Sequence, residues 1–175
     1  MVYARELQID NNGDIWIQTD REMIVYHPKT GSYKPLSNNF FKGSQPTSIA
    51  KDKNGDIWVG TTQGVLILFD PPQVFTNESY IPKYPYYGTF PLLHEDVVSH
   101  VYVAGGNKKW LSTRNGAYLV NQNGSDILEH FTIENSALPS NLVSQIGVND
   151  LTGEVFFTVP DGMVSYWGDA TEGTP

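Results

Sequence analysis

The chain has 175 residues, the length of one ordinary domain, with 39% hydrophobic content and 11 basic against 19 acidic side chains, a net charge of −8. Its basic residues are scattered, densest at Lys108-Lys109, so no positive stripe exists to neutralise phosphates, which excludes a nucleic-acid partner. No apolar run approaches a membrane span, and the absence of cysteine excludes disulfides, thiolate zinc sites and thiol nucleophiles in this stretch.

Strands are predicted in four groups. The first runs Leu7 to Asp10, a turn at Asn11-Asn12-Gly13, Ile15 to Thr19, Met23 to Tyr26 and a fourth strand at Ser32 to Leu36. The second runs Thr47 to Asp52, a turn at Lys53-Asn54-Gly55-Asp56, Ile57 to Thr61, a turn at Thr62-Gln63-Gly64 and Val65 to Asp70. Asn-Gly accepts the positive φ that tight hairpins need, and the strands are β-branched and aromatic. The third runs Val98 to Val103, Trp110 to Thr113, Ala117 to Val120 and Leu128 to Ile133; the fourth runs Val143 to Val148, Glu154 to Thr158 and Met163 to Tyr166. Almost nothing carries a helical period.

The groups are copies of one phrase. Asp14-Ile15-Trp16-Ile17-Gln18-Thr19 returns as Asp56-Ile57-Trp58-Val59-Gly60-Thr61, and more weakly around Trp110 and Phe156. The aromatics Trp16, Trp58, Trp110 and Phe156 are 42, 52 and 46 residues apart. A glycine follows the aromatic by six residues in three copies, at Gly64, Gly116 and Gly162, whereas the first has Glu22 there. Self-similarity at this period describes units that bury their apolar faces only by stacking on each other. The fold predicted is all-β: a partial β-propeller of about four blades of short antiparallel strands. Blade boundaries are expected at about 1–42, 43–95, 96–140 and 141–167, with a tail over 168–175 leading to a following domain. The four aromatics are expected to anchor the space between blades. Because the chain starts inside a repeat and ends soon after a third strand, it is expected to be part of a larger ring, or to self-associate through open blade edges.

The longest interval carries an insertion, Tyr80 to Pro91, rich in tyrosine and proline. It reads either as a long connection packing its own rings onto the blade, which takes precedence, or as a stacking surface for a sugar, a peptide or a partner domain. On the second reading Tyr80, Tyr84, Tyr86, Tyr87 and Phe90 are the binding residues. Asp10 to Asp14 and Asp52 to Asp56 look like pieces of a calcium loop but lack its later ligands, so they read as turns. His94-Glu95-Asp96 and His100 have no zinc spacing and read as a loop leading into an inner strand. His27 and His130 read as isolated surface or packing residues. No phosphate loop or nucleophile elbow occurs. No catalytic residue, metal or cofactor is assigned, and the chain is expected not to be an enzyme.

Asn54 to Val65 resembles the two-component regulator propeller repeat, whose pattern is Gly-Asn-Ile-Trp-Ile-Gly-Thr followed by Gly-Leu. Glu134 to Asn141, Thr152 to Phe157, Asp161 to Tyr166 and Asp169 to Gly173 more narrowly resemble the end of the second propeller in PorZ-type proteins of the type IX secretion system. Gln18 departs from the repeat's Gly, and Thr158-Val159-Pro160 from its Gly-Thr. The narrow resemblance implies two propellers before a small β-sandwich, and a location at the surface or in the periplasm of a Gram-negative bacterium. It also implies support for the sortase that processes cargo, and a partner in the secretion machinery or a surface glycan such as lipopolysaccharide. The broader resemblance implies instead the ligand-sensing propeller of a hybrid two-component sensor kinase, binding an oligosaccharide. Neither implies a catalytic residue.

Overall fold

The computed structural model describes residues 3–20 and 22–167; the tail expected at 168–175 lies outside them. Four small antiparallel sheets follow one another, each ordered along the chain. The first holds β1 (Ala4–Ile9), β2 (Ile15–Thr19), β3 (Met23–His27) and β4 (Ser32–Leu36). The second holds β5 (Pro46–Lys51), β6 (Ile57–Thr61) and β7 (Gly64–Leu68). A two-stranded ribbon of β8 (Tyr86–Tyr87) and β9 (Phe90–Pro91) precedes the third sheet, which holds β10 (Val98–Val103), β11 (Lys109–Thr113), β12 (Gly116–Val120) and β13 (Ile127–Phe131). The fourth holds β14 (Gln145–Val148), β15 (Val155–Val159) and β16 (Gly162–Tyr166). First strands sit side by side in succession, β1 against β5, β5 against β10 and β10 against β14. This is an arc of radial blades, a partial β-propeller.

The repeated residues carry the local geometry. Asp10 closes the first turn by accepting the amides of Asn12 (2.9 Å) and Asp14 (3.0 Å) on Oδ1, and its Oδ2 accepts the Trp16 indole N–H at 2.9 Å. Asp52 does the same for Asn54 (2.9 Å), Asp56 (3.1 Å) and Trp58 (3.3 Å). These carboxylates are capping groups spent on the turn and the tryptophan. The repeat threonine closes the next turn: Thr61 and Thr113 hydroxyls donate to the carbonyls of Gly64 and Gly116 at 3.0 Å. Thr19 donates to Glu22 in the same way at 2.8 Å, which is how the copy without glycine turns.

Side-chain alternation splits each blade into two faces. Trp16, Met23, Val25 and Leu36 leave blade 1 toward Ile49, Ile57, Val59, Leu66 and Leu68 of blade 2. Trp58 leaves blade 2 toward Val101, Leu111, Tyr118 and Val120 of blade 3, and Trp110 leaves blade 3 toward Ile146, Val155, Phe157 and Val159 of blade 4. Each tryptophan fills the wedge ahead of its own blade.

Phe156 differs from the expectation. It holds the strand position of the tryptophans, since it pairs with Gly147 as Trp16 pairs with Gln8. Alternation turns it away from blade 3, and it is only half-buried. Its neighbour Phe157, 1% exposed, packs edge-on to Trp110 with centroids 5.5 Å apart. Phe156 therefore faces outward from the last blade.

Candidate functional site

The first candidate region is the inner edge of the arc. Glu6, Ser48 and His100 occupy equivalent positions, opposite Gln18, Gly60 and Ser112, each just after a bulge. Each reaches the next blade. Glu6 Oε2 accepts the Ile49 amide at 2.6 Å, Ser48 Oγ the Val101 amide at 3.1 Å, and His100 Nδ1 the Ile146 amide at 3.3 Å. One residue further along the next inner strand always donates, so the three side chains form a repeating clasp between blades. A groove of about 270 Å³ runs here past Gln8, Lys51 and Tyr102. His100 Nε2 lies 3.7 Å from Glu6 Oε1. Burial pulls the imidazole below its usual value, against the opposing Glu6 charge. Accepting on Nδ1 requires the neutral form with the proton on Nε2, so Nδ1 is held by the bond between the blades.

The second region is a cleft of about 460 Å³ between blades 1 and 2. Asp14, 1% exposed, holds His27 through its Nδ1, and Asn12 Nδ2 donates to the other carboxylate oxygen at 3.2 Å. Across the cleft stand Asp70, and Gln73 and Phe75 of the short 3-10 helix Pro71–Phe75 that Asp70 precedes. The Phe75 ring tilts over His27 at 5.6 Å. Lys29 and Asp70 set opposite charges on the walls, leaving a mixed donor and acceptor lining with one aromatic wall.

The third region is the insertion, which the structure divides. Lys83 bonds both ways with Ile67 (2.8 and 2.9 Å), so the segment takes the place of an outer strand on blade 2 and runs along the rim. Tyr80 packs on the blade 1–blade 2 core, and its hydroxyl donates to the Phe69 carbonyl at 2.8 Å. Tyr84 packs on the same core, with Lys42 Nζ 4.1 Å above its ring. Tyr86, Tyr87 and Phe90, more than half exposed, stand together on the β8–β9 ribbon. His94 stacks on Phe90 at 5.3 Å with the ring planes 8° apart. The five aromatics therefore serve two purposes: Tyr80 and Tyr84 anchor the insertion, and the other three are presented to solvent.

Asp96 takes the Asn115 amide, and its carbonyl accepts the Gly64 N–H at 2.8 Å, which ties the loop to blades 2 and 3. Among the described residues no group of three or more His, Asp or Glu is placed to hold a metal ion.

Sequence reasoning missed Lys109. Its Nζ donates to Asp52 Oδ2 at 2.9 Å and to the Gln122 carbonyl at 2.5 Å, and lies 4.3 Å from the centre of the Trp58 ring. Asn107 Nδ2 also donates to Asp52 Oδ2 at 3.2 Å, and Asn107 Oδ1 accepts the Lys53 amide at 3.0 Å. Burial would raise the Asp52 pKa, but bonding and charge from Lys109 and the Asn54 amide outweigh it and hold the carboxylate below its usual range. Burial pulls Lys109 down from its usual value while Asp52 opposes. The signal was present: Lys109 stands where the other copies have Ile15 and Ile57, directly before the anchor tryptophan.

Residues 41–63 match the two-component regulator propeller family. No curated protein matches the sequence. The fold is similar to PorZ of Porphyromonas gingivalis, described as an essential bacterial surface component of the type IX secretion system, with TM-score 0.69 and 18% identity. It is also similar to the extracellular domain of a protein of B. thetaiotaomicron assigned as a hybrid two-component system, with TM-score 0.68 and 22% identity. The alignments cover 94% and 95% of this chain but only 32% and 21% of those chains. Virginiamycin B lyase from Staphylococcus aureus, an enzyme, is similar at TM-score 0.59 and 18% identity, over 95% of this chain and 56% of that one. The chain is thus a propeller arc of a kind found in surface and extracellular domains of bacterial proteins.

Proposed function

We propose that this chain is a non-enzymatic propeller module of a bacterial surface protein, a rigid scaffold or binding platform that supports type IX secretion. It would act at the cell surface or in the periplasm of a Gram-negative bacterium. The observation that carries this reading is the similarity to PorZ over 94% of the chain. The Tyr86–Tyr87–Phe90 ribbon supplies the contact: three exposed rings on a short two-stranded ribbon, fixed to the rim by the buried parts of Tyr80 and Tyr84. Three flat rings, two of them with hydroxyl tips, suit a protein of the secretion machinery or a surface glycan such as lipopolysaccharide. Replacing Tyr86, Tyr87 and Phe90 together by Ala in a bacterium that makes this protein tests the reading. Type IX cargo should accumulate unprocessed while the protein is still made and folded. Unchanged cargo delivery would reject the ribbon as the contact, and unchanged delivery after deletion of the gene would reject the role.

The cleft beside His27 favours a second reading, a ligand-sensing propeller that binds an oligosaccharide. Its mixed donors and acceptors and its Phe75 wall suit a polyhydroxylated ligand. Titration calorimetry with oligosaccharides would show binding lost in His27→Ala; no binding by any of them would remove this reading.

A further inference from the structure

The cleft between blades 1 and 2, about 460 Å³, lies in the size range of small-molecule sites and sorts its free charges by wall. Lys29, just past β3, stands on the blade 1 side, and Asp70, just past β7, on the blade 2 side. No ion pair joins them, and among the described residues the Lys29 ammonium has no hydrogen-bond or ion-pair partner. The Asp70 carboxylate accepts Gln73 Nε2 on Oδ2 at 2.7 Å, which leaves Oδ1 unbonded. The other carboxylate of the cleft is already spent. Asp14 is 1% exposed and takes the His27 Nδ1–H on one oxygen and the Asn12 side-chain amide on the other. That bond fixes the imidazole, so Nε2 is the ring nitrogen left for a ligand. The Phe75 ring, centred 5.6 Å from His27, adds an apolar face.

We infer that this cleft binds a glycan unit carrying both an ammonium and a carboxylate on one sugar, an inference that rests on the ligand-sensing reading of the cleft. Lys29 Nζ donates to the carboxylate, Asp70 Oδ1 accepts from the ammonium, His27 Nε2 meets a ring hydroxyl, and the sugar's apolar face lies on Phe75. In the free protein both charges face water, and holding them apart costs little. A neutral sugar would cover them without replacing that water. A singly charged sugar would satisfy one wall and desolvate the other. A ligand with both charges pairs each wall, and it brings no net negative charge to a chain of net charge −8.

The test is binding of four monosaccharides, followed through the His27 ring signals in NMR titrations. Glucose is neutral, glucosamine a cation and glucuronic acid an anion, whereas muramic acid carries both charges. Muramic acid should bind about fivefold more tightly than either singly charged sugar, the factor that one exposed charge contact supplies. Lys29→Gln should bring muramic acid down to the level of glucosamine, and Asp70→Asn down to that of glucuronic acid, while Lys29→Arg should keep the wild-type affinity. Both side chains are exposed, and an unchanged unfolding midpoint would confirm that the variants fold. Glucose or glucosamine binding as tightly as muramic acid would overturn the inference and leave the sugar-sensing reading standing. Muramic acid binding that neither Lys29→Gln nor Asp70→Asn weakens would overturn it by placing the sugar elsewhere. No binding by any of the four would overturn it too, while the oligosaccharide titrations decide the wider reading separately.

Discussion

Lys109 Nζ lies 2.9 Å from Asp52 Oδ2, with the two side chains 0% and 2% exposed. The bond joins the second strand of blade 3 to the first turn of blade 2, and the same Asp52 oxygen receives the Trp58 indole. A charge pair inside an apolar wedge is costly to desolvate, and it persists because Asn54, Asp56, Asn107 and Gln122 satisfy the remaining donors and acceptors. Removing only the cation strands a buried carboxylate. Lys109→Ala is therefore expected to cost about 3–5 kcal/mol, read from denaturant midpoints. Lys109→Met with Asp52→Asn should recover a large part of that loss. An exposed ion pair would move the midpoint by almost nothing.

His100 predicts a pH dependence. Its imidazole is neutral in the fold, where burial holds it below the unfolded value of 6.5. At a pH between the two values the unfolded chain binds more protons than the folded one, so stability rises with pH there. The contribution is fully present above pH 6.5 and is lost as pH falls through the lowered folded value. His100→Gln keeps an acceptor for the Ile146 amide and removes the titration. Its stability should change less between pH 7 and pH 5 than that of the wild type, as chemical denaturation at the two pH values would show.

Gly60 has a packing reason. A Cβ there would lie 2.8 Å from the Val98 carbonyl oxygen, where the Thr47 hydroxyl also bonds at 2.5 Å. Gly60→Ala must push blades 2 and 3 apart, and is expected to cost about 1–3 kcal/mol, seen as a lower thermal midpoint. The first blade tolerates Gln18 at the same position, and the amide reaches across to the Pro46 carbonyl at 3.3 Å.

Asp10→Ala would deprive two turn amides and the buried Trp16 N–H of their acceptor, at a cost of about 1–3 kcal/mol. The same change at a calcium ligand would alter stability only with calcium present, so unfolding with and without a chelator separates the two roles.

The strand order and the second-strand positions were legible in the sequence, because Ile57–Thr61 and its copies pair a β-branched, aromatic run with glycine-bearing turns. The fates of individual side chains were less so. Phe156 and Phe157 are neighbours of the same type, and only the direction of the next blade decides which is buried. Lys109 stands in the densest basic pair, and charge is the ordinary sign of exposure, whereas its place in the repeat is an isoleucine's. The division of the insertion, with Tyr80 and Tyr84 packed and Tyr86, Tyr87 and Phe90 presented, depends on the Lys83–Ile67 bridge, which no periodicity announces. The clasp was hidden for a similar reason: Glu6, Ser48 and His100 share a position but no chemistry beyond an acceptor atom.

That clasp is the most direct handle on blades standing side by side. The Ile49, Val101 and Ile146 amides donate out of their own sheets to the preceding blade, and exchange with solvent reports whether they do so. In hydrogen exchange followed by NMR these three amides should be protected, and Glu6→Ala, Ser48→Ala and His100→Ala should each release only its own partner. Fast exchange of all three in the wild-type chain would contradict the radial arrangement on which the fold and the proposed platform depend.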